Sequence, residues 1–167
     1  MMGIFQLFNP VVYVKLSPDM LTVREVNSGY ELSEPPLIAI ARIPKERVLA
    51  VGQEAAAIAA SQGAELINPF KHPRALLSDF TVAGQVVKRF VQKASKAAMG
   101  GIFRPAPIIV LHPLVNPEGG FTQIEIRAMH ELALGAGARK AIIWHGRELS
   151  NEELSSLKFG SGGEVLN

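Results

Sequence analysis

Residues 105–144 read PAPIIVLHPLVNPEGGFTQIEIRAMHELALGAGARKAIIW, and the fold turns on the pattern inside them. An apolar run from Ile108 to Leu111 leads through a loop containing Pro113, Asn116, Pro117, Gly119 and Gly120. Beyond it, Ile124, Ala128 and Leu132 recur at helical spacing. Thr122 and Glu125, three apart just before the periodic part, carry the capping-box signature, in which hydroxyl and carboxylate each satisfy the other residue's backbone amide. Gly135 and Gly137 stop the helix before the next apolar run, Ala141 to Trp144. Strand, loop, helix, strand is a βαβ unit, which predicts parallel strands with a helix across them.

Upstream the texture is that of short β-strands. Residues 11–16, 21–26, 30–32, 37–43 and 48–51 are rich in β-branched residues. Ser17-Pro18-Asp19, Asn27-Ser28-Gly29, Pro35-Pro36 and Pro44-Lys45-Glu46-Arg47 separate them with turn chemistry, which predicts consecutive antiparallel hairpins. An alanine-rich helix over 54–62 ends at Gly63, and residues 68–78 read as an irregular surface connection. A long helix over 79–99, capped by Ser78 or Asp79, carries the stripe Phe80, Ala83, Val87, Phe90, Ala94 and Ala97, with Lys88, Arg89, Lys93 and Lys96 as a solvated face. Past the βαβ unit, Ser150 and Glu153 form a second capping box that opens a short helix over 151–158. Residues 1–159 are read as one domain, with 34–78 as the candidate small lobe and 160–167 as a loose C-terminal tail.

Composition narrows the function classes. With 167 residues and 48% hydrophobic content, the chain can bury one proper core. The absence of cysteine excludes disulfides and thiolate metal sites. Seventeen basic against fifteen acidic residues give a net charge of +2, too small an excess to call for a nucleic-acid partner. No apolar run approaches the roughly 20 residues of a spanning helix, and the start lacks the basic region of a secretory signal, so the cytoplasm, including the inner membrane surface, is the expected location. Met1, Ile4, Phe5, Leu7 and Phe8 are candidates for a weak contact with a bilayer or a partner, against the plainer reading of a frayed start or an edge strand.

Candidate chemistry is sparse. His72, His112, His130 and His145 never take metal-ligand spacing. His112 and His145 do follow the two strands of the βαβ unit at the carboxyl edge, where α/β sheets bind ligands, and are the ligand candidates, with ordinary loop histidines as the alternative. Gly119-Gly120 lacks a following Lys-Ser or Lys-Thr and is no P-loop.

Five segments, YELSEPPLIAI (30–40), VLAVGQEAAAI (48–58), SDFTVAGQVVKRFVQK (78–93), FRPAPIIVLHP (103–113) and IEIRAMHELALGAGARKAII (124–143), resemble successive blocks of the bacterial actin-like rod-shape-determining (MreB-like) family. The resemblance covers the first half of that family. It implies a ribonuclease H-like α/β fold, with a mixed sheet and helices on both faces, as one half of an architecture whose two similar halves grip ATP and magnesium. The second phosphate loop and the adenosine-binding segments have no counterpart here.

In the family, the first strand turns through an Asp-Leu-Gly-Thr phosphate loop, and the aligned positions are Lys15, Leu16, Ser17 and Pro18. Lysine cannot hold Mg²⁺, the glycine that admits phosphate is gone, and proline removes an amide donor. Lys15 is either a surface residue at a strand end or a direct phosphate contact. Glu125 falls where the family carries the glutamate that orients the hydrolytic water, but its place in the capping box accounts for it without catalysis. The family's Glu-Glu-Pro after the last strand becomes His145-Gly146-Arg147. The expected function is therefore that of a non-enzymatic interaction module without cofactor, bearing on cell shape. Its partner would be a second copy, a filament-forming relative or a cell-envelope protein. The alternative is an ATP-binding or ATPase subunit whose site a second chain completes.

Overall fold

The computed structural model describes residues 9–73, 75–100 and 105–167. Met1, Ile4, Phe5, Leu7 and Phe8 lie outside that range. The chain runs β1 (Val11–Leu16), β2 (Leu21–Glu25), β3 (Glu31–Glu34), β4 (Ile38–Ala41), β5 (Arg47–Val51), α1 (Ala55–Gln62), β6 (Glu65–Ile67), α2 (Phe80–Met99), β7 (Ile108–Pro113), α3 (Gln123–Gly135), β8 (Lys140–Gly146), α4 (Asn151–Ser156) and β9 (Gly163–Leu166).

The main sheet has six strands in the order β3-β2-β1-β7-β8-β9. β1, β2 and β3 run antiparallel, while β1, β7 and β8 are parallel, as the hairpin chemistry and the βαβ unit require. β4 does not continue the hairpin series onto β3. It pairs with β5 and β6 in a second, three-stranded sheet inside the span 34–78, and α1 covers that sheet with small alanine contacts.

Strand alternation divides the main sheet into two faces. Val12, Val14 and Leu16 of β1, with Ile109, Leu111 and Ile143, pack under α2 and α3 in the main core. Val11 and Tyr13, with Val110, Ile142 and Trp144, face α4 through Leu149 and Leu154. Helices therefore cover both faces. The caps are those read from the sequence: Asp79 accepts from Val82 N at 2.9 Å, and Thr122/Glu125 and Ser150/Glu153 each form the complete capping box.

Residues 160–167 correct the expectation of a loose tail. β9 lies antiparallel to β8 and becomes the sheet's outer strand. Its glycines are demanded by packing, because a Cβ at Gly163 would run into the Trp144 ring and one at Gly146 would meet the Gly162–Gly163 backbone. The connection over 68–78 is anchored rather than superficial, since Phe70 and Leu76 are buried in the main core. Among the described residues no helix is long and apolar enough to cross a membrane.

Candidate functional site

A cavity of about 490 Å³ opens at the carboxyl edge of the parallel strands. Its walls bring together Leu16, Ser17 and Pro18 from the end of β1, Phe70 and Leu76 from the connection before α2, and Phe121 and Glu125 from the start of α3. Two of the sequence-predicted features, the phosphate-loop positions and Glu125, thus meet in one place.

What that place can do is limited by how its polar groups are already used. Ser17 N donates to Met20 O and Met20 N to Ser17 Oγ, both at 3.0 Å, so the turn closes upon itself. Leu16 O accepts from Leu114 N, and Pro18 O from the Asn68 side chain, each at 2.8 Å. A phosphate loop works by presenting free amides to an anion. This turn has spent its Ser17 amide internally and has no amide hydrogen at Pro18. Glu125 Oε2 accepts from the Thr122 amide and hydroxyl, both at 2.9 Å, which fixes the carboxylate as a helix cap on the cavity wall.

Lys15 does not line the cavity. It alternates with Leu16 onto the opposite face of the sheet, where its ammonium donates to Glu148 Oε1 at 2.8 Å. Arg24 donates to the same oxygen at 3.2 Å and lies over the Tyr13 ring. The salt-linked Lys15 ammonium is the main reason the Glu148 carboxyl sits below the usual carboxylate range. Lys15 is neither a free surface lysine nor placed to meet a phosphate in the cavity.

His112 and His145 are not brought together. Leu111 pairs with Ile143, so the two histidines stand on opposite faces of neighbouring strands. His112 is buried, with Nε2 at 2.9 Å from Gly146 O and Nδ1 at 2.6 Å from Tyr13 Oη. A carbonyl can only accept, so Nε2 carries the proton and Nδ1 accepts from the tyrosine, whose oxygen in turn accepts from Leu149 N at 3.3 Å. Burial lowers the His112 pKa. Both ring nitrogens are committed to the protein, and the shared ligand site drawn around this pair is not formed. His145 meets Asn116 Oδ1 at 2.7 Å and sits edge-on to Phe121, behind the cavity wall. Among the described residues no group of histidine and carboxylate side chains could hold a metal.

Sequence reasoning missed three structural roles. The segment 146–149 is clamped by His112, Lys15 and Tyr13, and the spacing of Tyr13 and Lys15 two apart on one strand was the available signal. Arg147 forks onto both oxygens of Glu153 at 2.9 and 2.6 Å and donates to Ser161 O at 2.8 Å, tying β9 down and holding the Glu153 carboxyl well below the usual range. Glu34 takes both Lys93 Nζ contacts at 2.9 Å and the Gln53 amide at 3.0 Å, so Lys93 is not simply solvated. A Cβ on Gly52 would land on the same carboxylate. The Ser-Glu-Pro and Val-Gly motifs are two sides of that joint.

Comparison with known proteins bears on the family and the fold. The chain is 30% identical over 141 residues to the cell shape-determining protein MreB of Haemophilus influenzae, and 30% identical over 142 residues to that of Escherichia coli. Each match covers 81% of this chain and about a third of the relative, 34% and 35%. Among solved structures, MreB5 of Spiroplasma citri bound to ADP superposes with a TM-score of 0.60 at 19% identity, over 81% of this chain and 37% of that one. A non-polymerising MamK mutant bound to AMPPNP superposes at 0.63 with 13% identity, over 81% and 40%. These likenesses establish the actin-like fold. The model of the MreB/Mbl protein family matches residues 16–149, and with it the chain belongs to that family of actin-like cell-shape proteins.

Proposed function

We propose that this chain acts as a protein-binding module of the cell-shape cytoskeleton and neither binds nor hydrolyses ATP by itself. The observation that carries this reading is the self-closed turn at Leu16, Ser17 and Pro18. At the positions where the family presents amides to phosphate and a carboxylate to the metal, this chain has an internally bonded serine, a proline, and a lysine turned to the other face. The protein-binding half of the reading is supported by apolar side chains left in water at the same edge. Leu114 is exposed and Ile124 is 82% exposed, beside the rim of the cavity. Phosphate release from ATP with Mg²⁺ tests the enzymatic half. No release above buffer is expected, and release that Glu125→Gln abolishes would overturn the proposal.

A second reading draws on the cavity itself. Its wall still carries Glu125 at the carboxyl edge, so a second chain could complete an ATP site there. Saturable ATP binding by a mixture with an actin-like relative, absent from either protein alone, would favour it.

A further inference from the structure

His112 takes no part in the cavity, yet its buried ring joins β1, β7 and the segment that follows β8. The imidazole lies between Tyr13 Oη, 2.6 Å from Nδ1, and Gly146 O, 2.9 Å from Nε2. With Nε2 protonated, Tyr13 donates to Nδ1 and accepts from Leu149 N at 3.3 Å. Among the described residues the tyrosine hydroxyl has no further hydrogen-bond partner. Residues 146–149 therefore hang on the imidazole from both ends, through the Gly146 carbonyl at one and, by way of Tyr13, the Leu149 amide at the other. The charged and titratable groups around the ring come from every neighbouring element. Lys15 stands beside His112 in the β1–β7 register, Arg24 of β2 lies over the Tyr13 ring, Glu148 sits within the segment, and His145 follows on β8. Lys15 and His145 oppose a charge on the ring, and Glu148 favours one.

A proton from solvent can enter this network only at Nδ1, because Nε2 already carries one. Nδ1 then becomes a donor, so the tyrosine oxygen must accept there. Its own hydrogen is driven to the side that accepts from Leu149 N, where donor faces donor, or is left buried without an acceptor. β1 and β7 cannot yield to relieve this, since each is paired on both sides within the sheet. The segment can yield. β9 is coupled to it, being the outermost strand and bonded to Arg147 through Gly162 O and Ser161 O. We propose that protonation of His112 turns the Tyr13 hydroxyl against the Leu149 amide, releases residues 146–149 and loosens β9 from the sheet edge. The closed form belongs to the neutral imidazole and the open form to the imidazolium. Burial favours the neutral ring, so opening comes below the ordinary histidine value of 6.5. The Arg147–Glu153 fork is not the trigger, because the Glu153 carboxyl stays ionised far below that value. Acidification thus uncovers the apolar group around Trp144 and Leu149, which is sealed at neutral pH.

Trp144 is the single tryptophan, is fully buried, and donates its indole N–H to Arg147 O at 2.7 Å, so its emission reports on this segment. The full chain is taken from about pH 7.5 to about pH 5, with emission and hydrogen exchange, corrected for intrinsic rates, read together. A reversible red shift is expected. Exchange protection over 147–166 should fall about tenfold or more while that of β7 and α2 is kept. His112→Gln should remove the response and His145→Gln should leave it in place. Tyr13→Phe should leave 146–149 weakly protected already at neutral pH, with little further change on acidification. Lys15→Met, which removes a cation beside the ring, should move the midpoint to higher pH, and Glu148→Gln should move it lower. These opposite shifts decide the matter even if His112→Gln does not fold. No red shift, a response that survives His112→Gln, midpoints that move in the same direction, or protection lost evenly from β7 and β9 would each overturn the switch.

Discussion

The two faces of the main sheet are built from different materials. Under α2 and α3, β1 contributes Val12, Val14 and Leu16 to an apolar core shared with Phe90, Met129 and Leu132. Facing α4, beside the apolar group of Val11, Val110, Ile142 and Trp144, Tyr13 and Lys15 of β1 join His112, Arg24 and Glu148 in a hydrogen-bonded and ionic array. The first face is what an actin-like half needs in order to fold. The second carries Lys15 and Glu148, the latter directly after His145-Gly146-Arg147, at or beside positions where the resemblance to the family leads one to expect a metal-facing carboxylate and Glu-Glu-Pro. The actin-like fold is kept while the polar groups on that face bond to one another.

If that division is right, substitutions should sort by face. The largest effect is expected on the apolar side. Phe90 is fully buried, and Phe90→Ala should cost about 3–5 kcal/mol in a denaturant titration, through lost burial and the cavity left behind. On the polar side Tyr13→Phe keeps the ring but strips His112 Nδ1 and Leu149 N of their partner, for a loss of about 1–3 kcal/mol. A Tyr13→Phe cost equal to that of Phe90→Ala would erase the contrast between the faces.

A pH series sharpens the same comparison. The fold holds His112 neutral, with Lys15 and His145 adding repulsion to the cost of burial, and the Gly146 carbonyl and Glu148 acting the other way. Above the ordinary histidine value of 6.5 both folded and unfolded chains carry it neutral, and the network contributes in full. Below it the unfolded chain takes up a proton that the folded chain resists, so stability falls with falling pH until the lowered folded value is passed. Unfolding free energy should therefore decline between about pH 6.5 and pH 5.5, ahead of carboxylate titration, and His112→Gln should flatten that decline. The smallest effect belongs to the ion pair. Lys15→Met, in a double-mutant cycle with Glu148→Gln, should show a coupling of no more than about 1 kcal/mol, because Glu148 is more than half exposed.

Much of the scaffold was legible in the sequence because its signals are local. Thr122 with Glu125, Ser150 with Glu153, and the stripe from Ala83 to Ala94 announce helices through contacts within a few residues, although Phe80 at the head of the expected stripe is exposed. What was illegible depends on register. His112 and His145 look equivalent until Leu111 is paired with Ile143, which sends them to opposite faces. Residues 160–167 look loose because Gly162 and Gly163 suggest a flexible end, whereas Gly163 is the residue that lets β9 pass over the Trp144 ring. β4 leaves the hairpin series because β6, only three residues long, pairs with it, and nothing in Glu65, Leu66 and Ile67 alone marks a strand. At the candidate site, the turn chemistry of Ser17 and Pro18 was visible in the sequence. That Lys15 answers to Glu148, 133 residues away, was not.

The proposed function requires that this actin-like half keep its scaffold and bind no nucleotide by itself. Isothermal titration of the full chain with ATP and Mg²⁺ tests it most directly. No saturable heat up to millimolar nucleotide is predicted, and a dissociation constant in the micromolar range would contradict it.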